Sequence, residues 1–307
     1  MTENNKEFSP LGVDLFGEPI KSEKPSIVSE KFIEPPFSVL NARGGDWQNR
    51  KRAWAGLGIE SELGRVDNLL KFSNTMSLGE KDTSIFDPVI CELMYSWFSC
   101  KDAQIVDPFA GGSVRGVVAS MLSRKYWGGE LRGEQVAANR KQGADLCPDD
   151  ADLQWIEGDS MKTLEDAPDA DFVFSCPPYG DLEVYSDDED DISNMEYHTF
   201  KAAYSRIILK AVSKLKLDRF ACFVVGDFRD KKGFYRNFVS DTIQAFENAG
   251  AKLYNEAILV TAVGSASMRV TKQFDAGRKF AKTHQNVLVF CKGDWRKATK
   301  AAKGEEE

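Results

Sequence analysis

From Gln104 to Cys291 short apolar runs alternate with amphipathic stretches, and this alternation limits the possible folds more than any other feature of the chain. Gln104–Asp107, Lys125–Leu131, Leu153–Glu157, Asp171–Ser175 and Arg219–Val225 read as strands. Helical spacing fills Val114–Arg124, Glu134–Asp145, Phe200–Lys216 and Phe234–Ala249, with Gly250 at the C-terminal cap of the last. Strands that alternate with helices predict a mostly parallel, doubly wound α/β sheet. Lys252–Thr261 and Gln285–Cys291 close the series with no long helix between them, which predicts an antiparallel pair at the edge. Before the alternation, Asp87-Pro88 opens a helix that runs to Phe98, with proline in its first turn. A chain of 307 residues buries one large core of this kind and leaves little room for a second.

Composition removes several classes. The six cysteines contain no CxxC pair and there are only two histidines, so neither a zinc site nor a disulfide framework is expected. The polar start MTENNKEFSP lacks an apolar signal core, and no apolar run approaches membrane-spanning length. The reading is therefore a soluble protein of the reducing cytoplasm. A net charge of −8 gives no global attraction to nucleic acid, so any such contact must come from local basic segments.

Three turns carry the chemistry. Asp107-Pro108-Phe109-Ala110-Gly111-Gly112-Ser113 stands where the first strand hands over to a helix. Glycines there let backbone approach a ligand, and the helix start offers unpaired N–H groups. A tight turn without a ligand is the bland alternative. Glu130, followed by Leu131, ends the second strand, where a carboxylate can accept both hydroxyls of a ribose. Glu130 could also be an ordinary exposed glutamate, and Glu134 competes for the role. Asp159-Ser160 follows the third strand, suited to an amino donor or simply to capping a short helix. Ser175-Cys176-Pro177-Pro178-Tyr179-Gly180 ends the fourth. Two prolines fix the backbone so that a carbonyl can point outward, and the tyrosine adds a flat face for stacking.

Taken together, DPFAGGS, Glu130, Asp159 and Cys176-Pro-Pro-Tyr179 resemble the amino-methyltransferases of DNA, the N6-adenine and N4-cytosine family, over roughly residues 83–292. The resemblance implies a Rossmann-like, S-adenosylmethionine-dependent methyltransferase fold. Its sheet is seven-stranded and mostly parallel, with the last strand antiparallel at the edge. It also implies S-adenosylmethionine as cofactor, with the methionine part held by Asp107 to Ser113, the ribose by Glu130 and the adenine by Asp159. Thr83-Ser84-Ile85-Phe86-Asp87-Pro88 looks like the family's additional cofactor segment, which brings in Ser84, Phe86 and Asp87. Cys176, Pro177, Pro178 and Tyr179 would be the catalytic set, acting on a base flipped from double-stranded DNA.

Cys176 departs from the Asp, Asn or Ser that the family usually carries, and a thiol accepts hydrogen bonds poorly. The Pro177 carbonyl would then carry more of the alignment, with adenine and cytosine both open. Residues 81–293 read as the catalytic domain, 1–80 as an arm with possible DNA contacts, and 294–307 as a frayed, charged tail. DNA-reading segments are expected in the arm (with its basic stretch from Asn49 to Trp54), in Asp181–Tyr197 and in Gly264–Lys282. The acidic run Asp187–Asp191 reads as a solvated loop. Three rivals remain. An enzyme of this fold could act on RNA or a protein glutamine amide. Cys176 could be a covalent nucleophile for carbon 5 of a pyrimidine, although such enzymes resemble Pro-Cys rather than Cys-Pro. The chain could also be a non-catalytic DNA-binding relative.

Overall fold

A computed structural model describes residues 31–59, 86–179, 192–264 and 266–305. The chain divides into Met1–Pro36 and a compact unit, Phe37–Glu307, that carries all the elements below. Its strands are β1 (Val39–Asn41), β2 (Gln104–Asp107), β3 (Lys125–Glu130), β4 (Leu153–Glu157), β5 (Ala170–Ser175), β6 (Leu215–Val225), β7 (Lys252–Val260) and β8 (His284–Lys292). The described helices are α1 (Gly45–Ala55), α2 (Pro88–Phe98), α3 (Val114–Met121), α4 (Gly133–Leu146), α5 (Ser160–Thr163), α6 (Tyr197–Lys214), α7 (Phe238–Asn248), α8 (Ala266–Gly277) and α9 (Trp295–Lys303).

The strands form one sheet in the order β1-β7-β8-β6-β5-β2-β3-β4. All pairings are parallel except those of β8, which runs antiparallel to both β6 and β7. Setting β1 aside leaves seven strands of the Rossmann-like, mostly parallel α/β sheet expected from the sequence, but the antiparallel β8 lies between β6 and β7 rather than at the edge. β5 explains its own position. In ADFVFS five of six residues are buried, so the strand is covered on both faces and sits in the interior of the sheet. Phe172 and Phe174 stack at 6.0 Å on one face of it, and Tyr95 of α2 meets Phe174 edge-on at 5.3 Å. On the other face Val173 joins the cluster of Phe200, Tyr204, Phe223, Phe238 and Phe246.

The order reverses between β2 and β5. From β2 the chain winds outward through β3 and β4, whereas β5 leads the other way to β6. Open α/β sheets bind ligands in the crevice beyond the strand ends at such a switch point. The turns after Asp107 and Ser175 both lie there.

Three further expectations need correction, those for β1, for the β7–β8 connection and for the tail. Leu40 is buried and Val39 pairs with Ile258, so β1 adds an eighth strand from within the supposed arm. Three residues with one buried side chain are too few to show a strand period. The basic stretch in α1 is engaged only in part: Arg52 is exposed, and Arg50 and Lys51 pair within the protein while staying 43% and 40% exposed. Arg50 grips Glu92 with two bonds of 2.6 Å, Trp54 Nε1 donates to the same carboxylate, and Lys51 lies 3.3 Å from Asp87. Between β7 and β8 stands α8, which has no buried residue and so gives no core-facing stripe in the sequence. The tail is also ordered. Asp294 caps α9 through the Arg296 N–H (2.7 Å), Ala298 and Ala301 are buried, and Gly304 ends the helix at φ +73°. Alanines bury little area but favour helix, which hid this element among lysines. No described helix is long and apolar enough to cross a membrane.

Candidate active site at the sheet's switch point

The buried carboxylate of Asp107 is the hub of the site. It is fully buried and accepts from Ser175 Oγ (2.5 Å), Arg115 Nε (2.5 Å), Tyr126 Oη (2.8 Å) and its own turn's Phe109 N–H (3.1 Å). Asp107 thus ties β2 to β5, β3 and α3 at the point where the sheet order reverses. With four donors on a fully buried carboxylate, Asp107 positions both turns.

Arg115 completes the hub from the first turn of α3. Besides the ion pair, its guanidinium donates to the carbonyls of Phe109 and Ala110 (2.8 Å for the latter) and lies over the Phe86 ring at 4.7 Å. Burial works against its charge, but Asp107 outweighs this and holds the guanidinium more firmly protonated than usual. Burial, with Asp107 adding to it, raises the Tyr126 phenol far above its ordinary value, so it stays a donor. Gly128 makes this reach possible, because a Cβ there would come within 2.7 Å of the Tyr126 ring.

The glycine turn is braced from behind. Asn139 donates to the Gly111 carbonyl (2.7 Å) and is itself oriented by Gln135 (2.8 Å). Ser113 donates to Gln142 (2.8 Å), Ser160 Oγ to the Pro108 carbonyl, and the Ala110 N–H to the Gly129 carbonyl (2.9 Å). Pro108, Ala110, Ser113 and Ser160 are buried by these contacts, while Phe109, Gly111 and Gly112 are half-buried. Gly111 sits at φ +52°, a conformation that favours glycine, and its N–H points to Glu130 Oε2 at 2.9 Å.

Glu130 and Leu131 are half-buried at the end of β3, and Glu130 Oε1 accepts from the Arg132 N–H at 3.1 Å. Glu134 is exposed and stands further out on α4. Asp159 caps α5 through the Met161 N–H (2.8 Å), as the simpler reading held, and remains half-buried beside the β4 end. The additional segment is split. Phe86 packs on Phe174 (6.1 Å) and Arg115, next to the glycine turn. Asp87 caps α2 through the Val89 N–H and receives Trp47 Nε1 at 3.2 Å, so it anchors α1. Ser84 lies outside the described residues, as do Gly180 to Asp191.

Cys176 and Pro178 are half-buried and Pro177 is buried, directly after the Ser175 anchor. The Tyr179 ring is held edge-on by Phe228 (6.2 Å) and Phe238 (6.0 Å), and its hydroxyl accepts from Gln285 Nε2 at 2.8 Å. Lys282 and His284 lie nearby on the approach to β8. Burial lowers the pKa of both, with Asp227 pulling the other way on each. Sequence reading missed Arg115, Tyr126, the role of Ser175 and the Gln285 contact. Only Arg115 left a signal, as a lone charge in the otherwise buried run VRGVVAS.

No protein-family model matches the chain, and no curated protein matches it significantly. Solved structures with some likeness include TrmN from Thermus thermophilus (13% identity, TM-score 0.45, 67% of this chain and 48% of that one). A second is a precorrin-6y C5,15-methyltransferase from Geobacter metallireducens (13%, TM-score 0.44, 70% and 93%). A third is a TehB-like SAM-dependent methyltransferase from Corynebacterium glutamicum (16%, TM-score 0.41, 80% and 99%). The match spans about half the length of TrmN. Likenesses at this level assign neither a family nor a substrate.

Proposed function

We propose that the chain is an S-adenosylmethionine-dependent methyltransferase acting on an exocyclic amino nitrogen of a DNA base, N6 of adenine or N4 of cytosine. One observation carries the reading: the Ser175–Asp107 bond of 2.5 Å joins the Cys176-Pro-Pro-Tyr turn to the glycine turn across the switch point. A group held by one turn is thereby next to a group held by the other.

The donor set suits the cofactor. Glu130 and Asp159 stand half-buried beyond adjacent parallel strands, and carboxylates accept from hydroxyl and amino donors. The glycine turn offers partly exposed backbone at Gly111 and Gly112 beside Glu130. When bound, S-adenosylmethionine supplies an electrophilic methyl group on its sulfonium. The chain's part is positioning. Pro177 presents its carbonyl and Cys176 its thiol to the amino N–H groups, directing the nitrogen lone pair inward. Tyr179 stacks against the flipped base, steadied by Phe228, Phe238 and Gln285. Fixing two reactants in line in this way lowers the barrier without a covalent enzyme intermediate.

Calorimetry with S-adenosylmethionine, paired with labelled methyl transfer to DNA, tests the proposal. The parent protein should bind and transfer, Glu130→Ala should lose at least tenfold in cofactor affinity, and Tyr179→Ala should bind but hardly transfer. A parent protein that binds no S-adenosylmethionine would end this reading.

A further inference from the structure

Beside Tyr179 opens a cleft of about 570 Å³, walled on one side by α8 and its following turn and on the other by the segment after β6. Among the described residues its lining includes four cations, Arg229, Arg269, Lys279 and Lys282, against one carboxylate, Asp227. In a chain of net charge −8 this local excess runs against the rest of the molecule. The lone carboxylate is engaged, its Oδ1 accepting the Val239 N–H at 3.0 Å.

Two lining residues border the candidate active site: Phe228 packs on the Tyr179 ring and Lys282 lies close to it. A Cβ at Gly226, the residue after β6, would stand 3.4 Å from Lys282 Cε and 3.9 Å from Tyr179 Cε1. The Lys282 stem and the Tyr179 ring therefore flank the same backbone position. Aromatic rings accompany the cations. Arg229 lies over the half-exposed Tyr235 ring at 4.0 Å, and Phe280, 77% exposed, stacks on Phe274 at 5.8 Å. No residue of α8 is buried, so the helix contributes its side chains to this wall rather than to the core.

We infer that this cleft grips the phosphate backbone of the DNA strand next to the nucleotide whose base stacks on Tyr179. The inference rests on the nucleic-acid reading above and deepens it. Cations aligned along a groove neutralise successive phosphates, and interleaved aromatics accept unstacked bases, a combination that suits a polyanionic strand. The α8 wall falls within Gly264–Lys282, one of the segments expected to read DNA, and the segment after β6 adds Arg229 to it.

Anisotropy of a fluorescent DNA oligonucleotide over a salt series tests it. One variant combines Arg229→Gln, Arg269→Gln and Lys279→Gln. A charge-matched control combines Arg296→Gln, Lys300→Gln and Lys303→Gln on α9, at the opposite end of β6. The cleft variant should bind at least tenfold more weakly at low salt, with the slope of log K against log salt reduced by roughly 2–3. The control should stay within about twofold of the parent, since screened charges far from the contact add little. Equal effects of the two variants, or a parent that binds no DNA at low salt, would overturn the inference. Calorimetry with S-adenosylmethionine separates the two readings. If the parent binds cofactor while the cleft variant behaves like the control, only the cleft assignment fails. If the parent binds DNA through the cleft but no cofactor, only the methyltransferase reading fails.

Discussion

Arg115→Met removes one partner of an ion pair whose side chains are 6% and 0% exposed. The Asp107 carboxylate keeps Ser175, Tyr126 and Phe109 N–H but loses its only cationic partner among the described contacts, and the Phe109 and Ala110 carbonyls lose their donor. Breaking a buried pair from one side costs about 3–5 kcal/mol, because the remaining charge stays in low dielectric. For a domain of this size that lowers Tm by on the order of 10 °C. Arg278→Met is the comparison, since its pair with Asp275 is 71% and 74% exposed and such pairs contribute roughly 0–1 kcal/mol. Urea unfolding of Arg115→Met, Asp107→Asn and their double variant closes a cycle, with Arg278→Met as the exposed control. The double variant should be less damaged than the two single losses sum to, because no uncompensated charge remains. If Arg115→Met is as stable as Arg278→Met, or the cycle adds within about 0.5 kcal/mol, the hub does not hold the site together.

Other expectations follow from the same contacts. Cys176→Ser keeps the size, improves the acceptor and should retain methyl transfer in a labelled-methyl assay; loss of transfer with cofactor and DNA binding intact would favour a covalent thiolate. Tyr179→Phe removes the Gln285 bond but keeps the ring, so transfer should fall a few-fold in the same assay, far less than with Tyr179→Ala. Burial opposes the charge of Asp171, yet the Lys216 and Gln104 N–H bonds outweigh it and lower its pKa. That contribution is full above the usual aspartate pKa and fades as pH falls through the lowered one. Asp171→Asn should therefore cost stability in neutral urea melts and progressively less below about pH 4. Removing residues 294–307 uncovers the surface under Ala298 and Ala301 and should lower Tm measurably in calorimetry, which a frayed tail would not.

The parallel core was legible because its strands are buried on both faces, as the unbroken DFVFS of β5 shows, and because glycines and prolines mark where each strand ends. β1 and α9 escaped because each buries too little apolar surface to impose a period on the sequence: one leucine in the first, two alanines in the second. α8 escaped for the opposite reason, having no core face at all. In the site, the turns were readable but the connections were not. Asp107 had the features of a ligand contact, and only the convergence of Ser175, Arg115 and Tyr126 from three other elements shows it to be internally satisfied. Partners 8, 19 and 68 positions away leave no local pattern.

What the proposed chemistry fixes is the atom that receives the methyl group. Incubating the protein with isotopically labelled S-adenosylmethionine and DNA, then digesting to nucleosides for mass analysis, reads that atom directly. Direct transfer to an exocyclic amino nitrogen predicts label in N6-methyladenine or N4-methylcytosine, lost with Tyr179→Ala. Label in 5-methylcytosine, or none in DNA from a parent protein that binds both cofactor and DNA, would contradict it.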